Sequence, residues 1–191
     1  MVNETLSTRE RLILAGMEEL REHGMNGFSL RRVSTNCGVS CAAPYKHFRD
    51  KQDLFTAMAD YIHAKWTERI RGRLSLEKPV EEVIADFAAE HVAFLVENPD
   101  FKAVLLIKET GLDTPLAARA MTMSVLLSRL FVICRRKFGY TREEIRERIF
   151  MVRTIMYGAS MIMSADDNDR EVRLAVVRDA VIRGLRPGQK S

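Results

Sequence analysis

Apolar residues recur every three or four positions along most of the chain, which is the spacing of one face of an α-helix. The clearest stripe runs from Val80 to Leu95 and includes His91. No segment alternates apolar and polar residues over enough positions to indicate a strand. The pattern therefore predicts an all-α protein of about nine helices.

Polar residues at the ends of the stripes indicate where helices begin. Ser7 with Glu10, and Thr141 with Glu144, have the spacing of capping boxes. Gly24 suits the left-handed residue that ends the first helix. Four further starts are predicted, with Ser29, Ser40 and Asp50 capping the second, third and fourth helices and Pro79 in the first turn of the fifth.

The chain is expected to divide into an N-terminal domain at residues 7–55, a helical domain at residues 56–186 and a flexible tail at residues 187–191. The first shift in composition along the chain falls at "SLEKP", residues 75–79. The fourth helix is expected to run to about Leu74. The later helices are predicted to span about 102–109, 115–137, 142–165 and 169–185.

Composition is that of an ordinary water-soluble protein, with 47% apolar and 29% charged residues among 191. The cysteines number three, Cys37, Cys41 and Cys134, and such a sparse, odd count favours a reducing compartment. The first residues lack an apolar signal core. The longest apolar stretch, 150–163, is too short to span a bilayer. We therefore expect a cytoplasmic protein without a membrane partner.

The basic charge is concentrated in one short segment. The whole chain carries a formal charge of +4. Residues 29–51 alone reach the same value, with Asp50 as the single acid against Arg31, Arg32, Lys46, Arg49 and Lys51. A local basic patch of this kind favours binding to an anionic polymer such as a nucleic acid.

The same segment has the order of a helix-turn-helix: a helix, a short helix, a "CGVS" turn and another short helix. Gly38 allows the sharp turn, and the apolar faces of Val33, Val39, Tyr45 and Phe48 would fix the angle between the helices. That angle lets the later helix enter the major groove of DNA while the earlier one crosses the backbone.

The first residues of this third helix have small, apolar side chains. If Ser40 is the cap, then Cys41, Ala42 and Ala43 form the leading turn, where small side chains let the backbone approach base edges. Pro44 would be the fourth helical residue, so one backbone hydrogen bond near the start is expected to be lost.

Residues 8–55 resemble the DNA-binding domain of the tetracycline-repressor (TetR-type) family of bacterial transcription regulators. The runs "FSLRRVSTNCGVS" and "YKHFRDKQDLF" carry the resemblance. Ser34 and Cys37 stand where alanines are usual, and Pro44 stands where a leucine is more frequent. These departures concern the operator sequence, while the fold and the class of protein follow the family.

The resemblance implies a role for each matching residue. Ser29 and the start of the second helix, including Arg31, approach phosphates, and Ser40 caps the third helix. Base edges are faced by Cys41, Ala42, Ala43 and Lys46, and the DNA backbone is bound by Tyr45, His47 and Lys51.

For the rest of the chain, the resemblance implies a helical domain that binds a small-molecule effector and forms a homodimer. The dimer would use the last two long helices, 142–165 and 169–185, and would place two recognition helices about 34 Å apart on a palindromic operator. Small residues at Gly158, Ala159 and Ser160 would let another helix come close. The effector would tilt the fourth helix and release the DNA, as in a repressor.

A ligand pocket in this domain would be lined by aromatic residues and methionines. Residues of these types more often belong to a core or to a dimer interface. The candidates are Trp66, Phe87, His91, Phe94, Met123, Leu127 and Met156.

An alternative function is that of a carrier or enzyme with a vestigial helix-turn-helix. The sequence has no nucleophile elbow, phosphate loop, zinc spacing or dinucleotide fingerprint. We therefore expect no catalysis, cofactor or metal. A sequence-independent DNA-coating protein would need a larger basic surface. Cys37 and Cys41 lie on either side of the turn. They could form a redox switch, or they could simply be small residues that pack there.

Overall fold

A computed structural model of the chain describes residues 6–105, 125–164 and 168–187. Nine helices and no strand lie in these residues, which confirms the all-α prediction. The helices are α1 (Thr8–Gly27), α2 (Leu30–Asn36), α3 (Ala43–His47), α4 (Lys51–Ile70), α5 (Val80–Glu97), α6 (Pro99–Leu105), α7 (Val125–Phe138), α8 (Arg142–Ile162) and α9 (Arg170–Leu185). None of these helices is long and apolar enough to cross a membrane.

The predicted capping boxes are present at the starts of α1 and α8. The Ser7 hydroxyl accepts from the Glu10 backbone N–H at 3.2 Å, and the Glu10 carboxylate accepts from the Ser7 N–H at 3.0 Å. Thr141 and Glu144 exchange the same pair of bonds at the start of α8. These bonds satisfy backbone donors that the first turn of a helix leaves free.

Some helix boundaries differ from the sequence prediction. α4 ends at Ile70 rather than Leu74, because Gly72 takes a positive φ of 75° that breaks the helix. Pro79 is the N-cap of α5 rather than a residue of its first turn, and α6 begins at Pro99, three residues before the expected start. The predicted start of the helix at residue 115 and the tail from residue 188 onward lie outside the described residues.

The described residues form two compact units. The first comprises residues 6–65 and 99–105, and the second comprises 66–98, 125–164 and 168–187. α4 contributes residues 51–65 to the first unit and 66–70 to the second.

In the first unit, α1 packs against α2, α3 and α6. Gly16 permits a close approach of α1 to α4, because a Cβ at this position would lie 2.2 Å from Cε of Met58. An ion pair of 2.9 Å joins Arg21 of α1 to Asp100 of α6. The core of this unit is formed by Leu12, Ile13, Met17, Leu20, Val33, Phe48, Leu54, Phe55 and Met58, all at most 3% exposed.

In the second unit, α5 is the central helix and packs against α7, α8 and α9. Buried residues make up 14 of its 18 positions, so its burial extends well beyond the stripe that the sequence pattern predicted. By contrast, α8 leaves Phe150, Met161 and Ile162 between 68% and 76% exposed in the single chain. Apolar surface on this scale is typical of an interface, and the predicted part of this helix in the dimer stays a prediction.

Candidate nucleic-acid interface

The turn between α2 and α3 is held against α1 by a reciprocal pair of bonds. The Arg11 guanidinium donates to the Cys37 carbonyl at 2.9 Å, and the Cys37 thiol donates to the Arg11 carbonyl at 3.3 Å. Gly38 has a φ of 65°, a conformation that glycine adopts with little strain. The Val39 N–H then bonds the Ser34 carbonyl at 3.0 Å, which closes the turn.

The start of α2 is fixed by Glu19, a residue that the sequence reasoning missed. Its buried carboxylate accepts from the Ser29 N–H at 2.9 Å and from the Arg32 guanidinium, and it lies 3.3 Å from the ring nitrogen of His23. Burial alone would raise the pKa of Glu19, but the hydrogen bonds from Arg32 and Ser29 hold it below its usual value. The sequence pattern could have indicated Glu19, because this acid lies seven residues after Leu12 and therefore on the apolar face of α1.

Because Arg32 is hydrogen-bonded to Glu19, the neighbouring residues Arg31 and Arg32 have different surroundings. Arg32 also donates to the Gly27 carbonyl. Arg31 is exposed, as a phosphate contact requires. The Ser29 hydroxyl accepts from the Arg32 N–H at 3.4 Å, so the predicted cap of α2 is confirmed.

α3 begins later than predicted. Its N-cap is Ala42, and the prediction that Ser40 caps the helix with its side chain is wrong. Instead, the Ala43 N–H donates to the Ser40 carbonyl at 2.9 Å, so Cys41 and Ala42 form a turn ahead of the helix.

The late start also changes the role of Pro44. It is the second helical residue, not the fourth, and its missing N–H falls where a helix has no internal acceptor. No backbone bond is lost on its account. Pro44 is buried, and its carbonyl accepts from the Phe48 N–H at 2.8 Å, which ends the helix.

The side chains predicted to meet DNA form one exposed surface around α3, which we call the α3 surface. Tyr45 is 63% exposed although it is aromatic. Beneath this surface, Phe48 is buried and carries the Arg9 guanidinium 5.3 Å above its ring. The exposed members of the α3 surface are Ser40, Cys41, Ala42, Tyr45, Lys46 and His47, and Ala43 is half-buried.

Lys51 differs from the other predicted contacts because its ammonium group is engaged within the chain. Its Nζ donates to the Met25 carbonyl at 3.3 Å and lies 4.8 Å and 5.4 Å from the ring centres of Phe28 and Phe55. The start of α4 beside it is capped reciprocally, since the Asp50 carboxylate accepts from the Asp53 N–H and the Asp53 carboxylate from the Arg49 N–H. Lys51 therefore holds α4 to the end of α1, and its contact with DNA stays a prediction.

The structure brings together four of the residues predicted to line a ligand pocket. The ring of Trp66 lies 5.2 Å from Phe87, 5.2 Å from His91 and 5.4 Å from Phe94. Leu127 and Met156 are buried in the same unit, while Met123 lies outside the described residues. Whether this aromatic cluster lines a ligand cavity stays a prediction.

His91 is the unusual member of the aromatic cluster. Burial lowers its pKa to about 4, so the ring is neutral at physiological pH. Its Nδ1 is buried and has no hydrogen-bond partner among the described residues. A buried polar atom without a partner destabilises the fold unless a bound molecule satisfies it.

The cysteines and histidines form no obvious chemical centre in the described part of the chain. No group of three His, Cys, Asp or Glu residues could hold a metal there. Cys37 is half-buried, and burial raises the pKa of its thiol while Arg11 opposes the change. A raised pKa makes a thiol less reactive, which supports packing over a redox role for Cys37.

Comparison with known proteins agrees with this geometry. Residues 12–58 match the sequence model of the bacterial regulatory proteins of the tetR family. The HTH-type transcriptional regulator CymR of Pseudomonas putida is 34% identical over 100 residues, which are 52% of this chain and 49% of that protein. The chain thus spans about half the length of the curated relatives it matches. The match to the tetR family model is confined to residues 12–58, which contain α2, α3 and the turn between them.

Solved structures share the helical fold over nearly the whole chain. The TetR family regulator PfmR from Thermus thermophilus matches with a TM-score of 0.73 and 19% identity, over 96% of this chain and all of that one. The regulator FadR from Bacillus subtilis, in complex with stearoyl-CoA, matches with a TM-score of 0.71 and 16% identity, over 92% of this chain and 96% of that one. At these identities, the likeness shows the fold.

Proposed function

We propose that this protein is a homodimeric transcriptional regulator that acts in the cytoplasm and represses genes by binding a palindromic operator. The observation that carries the proposal is the α3 surface, on which an exposed tyrosine, lysine and histidine follow one another on a helix held by α1 and α2. An aromatic side chain that is 63% exposed contributes little to the fold, and it is well placed to pack against a DNA backbone.

On DNA, the turn of Cys41 and Ala42 with the start of α3 would meet base edges in the major groove. Tyr45 and His47 would bind phosphates, with Ser29 and Arg31 on the preceding helix and Lys51 at the next. Lys46 is the one long basic side chain proposed to reach the bases. Few hydrogen-bonding side chains face the bases in this arrangement, so much of the specificity would come from DNA shape.

The dimer would form through α8 and α9. Five large apolar side chains on or beside these helices are more than half exposed in the single chain, which is the expected state of an unpaired interface. They are Phe150, Met161, Ile162, Val172 and Val176.

The second unit would bind a small-molecule effector at the aromatic cluster. His91 supplies a neutral ring whose Nδ1 has no partner among the described residues and lies among aromatic rings, which suits a largely apolar molecule with one hydrogen-bonding group. The stearoyl-CoA held by the similarly folded FadR supports a ligand role for such a helical domain. The effector would favour a state in which α4 tilts and the operator is released, which is a shift between populations.

Selection of bound fragments from random duplex DNA tests the proposal. The purified protein should enrich one palindromic sequence and bind it at least about 10³-fold more tightly than unrelated DNA at the same salt concentration. Binding that is weak and independent of sequence, by protein shown to be free of any co-purified small molecule, would contradict it.

A further inference from the structure

A groove of about 490 Å³ lies in the second unit, between the segment before α5, the start of α5 and α7. Val80, Val83 and Leu130 form its floor and are at most 8% exposed. Leu76 and Ile133 stand at its rim, 68% and 53% exposed. The volume falls within the range of roughly 300–1,000 Å³ that small-molecule sites occupy.

This groove is separate from the aromatic cluster. None of Trp66, Phe87, His91 and Phe94 is among the residues that line it. A molecule bound in the groove would therefore be a second ligand, independent of the effector proposed above.

The polar lining of the groove is cationic. Lys78, Arg129 and Lys137 line it, and no acidic residue does among the residues described. Lys78 bonds the Asp86 carboxylate at 2.8 Å and Lys137 bonds the Glu81 carboxylate at 2.7 Å. These two lysines are therefore held in place by acids that do not line the groove.

Arg129 is different from the two lysines. It has no hydrogen bond or ion pair to any residue in the described part of the chain. A guanidinium beside an apolar wall can bind a carboxylate with two parallel hydrogen bonds, which a lysine cannot do. Because no described residue neutralises the charge of Arg129, this charge favours an anionic ligand.

We propose that this groove binds an amphipathic anion, namely a medium-chain or long-chain carboxylate. The hydrocarbon chain would lie on Val80, Val83 and Leu130, where the burial of its CH₂ groups stabilises the complex. The carboxylate would pair with Arg129 near the rim.

A second copy of the chain fits the groove less well. A two-fold contact places the same surface on both sides, so Arg129, whose charge no described residue neutralises, would face its own copy. Like charges brought together in this way oppose association. A ligand with a negative head group removes this repulsion.

Titration calorimetry with decanoate, without DNA, tests the proposal. We expect one decanoate per chain, and no comparable binding of decyltrimethylammonium, which has the same chain and the opposite charge. Arg129→Gln should weaken decanoate binding at least 10-fold. Ile133→Trp should also weaken it, because the larger side chain at the exposed rim obstructs the groove.

The matched control is Arg136→Gln, since Arg136 is exposed on the same helix and does not line the groove. This variant should bind decanoate as the unaltered protein does. Equal binding of both detergents, or decanoate binding that survives Arg129→Gln and Ile133→Trp, would overturn the proposal. Loss of binding in His91→Phe but not in Arg129→Gln would assign decanoate to the aromatic cluster instead, which also overturns it. A change of oligomeric state in Ile133→Trp without decanoate binding would make the groove a protein contact.

Discussion

The Nε–H of Arg32 is shared between the two carboxylate oxygens of Glu19, at 2.9 and 3.1 Å, although Glu19 is buried in α1 and Arg32 is exposed on α2. The same carboxylate accepts from the Ser29 N–H. One acid thus fixes the first turn of α2 from the neighbouring helix.

Replacement of Glu19 by glutamine should therefore destabilise the first unit. We expect the free energy of unfolding in urea to fall by about 2 kcal/mol, because hydrogen bonds between charged groups are exchanged for weaker ones beside a guanidinium. Glu18→Gln, an exposed neighbour, should change it by less than about 0.5 kcal/mol. The pKa of Glu19 is lowered in the folded state, so its stabilisation is present above the usual glutamate pKa and is lost as pH falls through the folded pKa. A Glu19→Gln variant as stable as the unaltered protein at pH 7 would contradict this role.

His91 predicts a separate loss of stability in mild acid. Its pKa is about 4 when folded and near 6.5 when unfolded, so the unfolded chain takes up a proton first as pH falls. Stability should fall progressively between pH 6.5 and pH 4, by about 3 kcal/mol in total at 1.36 kcal/mol per pKa unit.

Unfolding curves at several pH values check this prediction. His91→Phe should remove the loss between pH 6.5 and pH 4, whereas His47→Gln, at an exposed histidine, should leave it in place. An unchanged pH dependence in His91→Phe would show that another group is responsible.

Substitutions at Gly38 test how much the backbone conformation of the turn contributes to stability. Its φ is 65°, and a Cβ added there would meet nothing within 4 Å, so substitution introduces strain without a clash. Gly38→Ala should lower the free energy of unfolding by about 1–2 kcal/mol, and Gly38→Asn should cost less, because asparagine tolerates positive φ better. Equal stability of the two variants in thermal unfolding would contradict the strain argument.

The starts of α1 and α8 show how far local sequence determines this fold. Ser7 with Glu10, and Thr141 with Glu144, are separated by three residues, so their caps could be predicted from spacing alone. The burial of α5 could be predicted in part, because its stripe is regular from Val80 to Leu95.

The remaining features depend on contacts that spacing does not show. Glu19 reaches residues 10 and 13 positions away, and no local pattern pairs them. The late start of α3 follows from a backbone bond between Ala43 and Ser40, in which no side chain takes part. The hydrogen bond from Lys51 to the Met25 carbonyl depends in the same way on how α1 and α4 pack. The match of Lys51 to the family pattern could not reveal this bond.

The exposed apolar residues of α8 and α9 predict a dimer that a single charge should disrupt. Ile162 is 76% exposed in the single chain, so Ile162→Glu leaves the fold of the chain intact and places a charge in the proposed interface. Sedimentation at micromolar concentration should show a dimer for the unaltered protein and a larger monomer fraction for the variant. A monomeric unaltered protein, or an equally dimeric variant, would contradict the proposed interface.

The central claim is that the α3 surface binds DNA, and the most direct test is the affinity of Lys46→Gln and Tyr45→Ala for the selected operator, measured across salt concentrations. Both side chains are exposed, so circular dichroism and unfolding should match the unaltered protein. Lys46→Gln should weaken binding to the operator more than binding to unrelated DNA, with little change in the slope of log affinity against log salt, because Lys46 is proposed to reach base edges rather than phosphates. Tyr45→Ala should weaken binding with little change of slope, and Arg136→Gln should alter neither quantity. Unchanged affinity in both α3 variants would contradict the claim, whatever the sequence of the DNA.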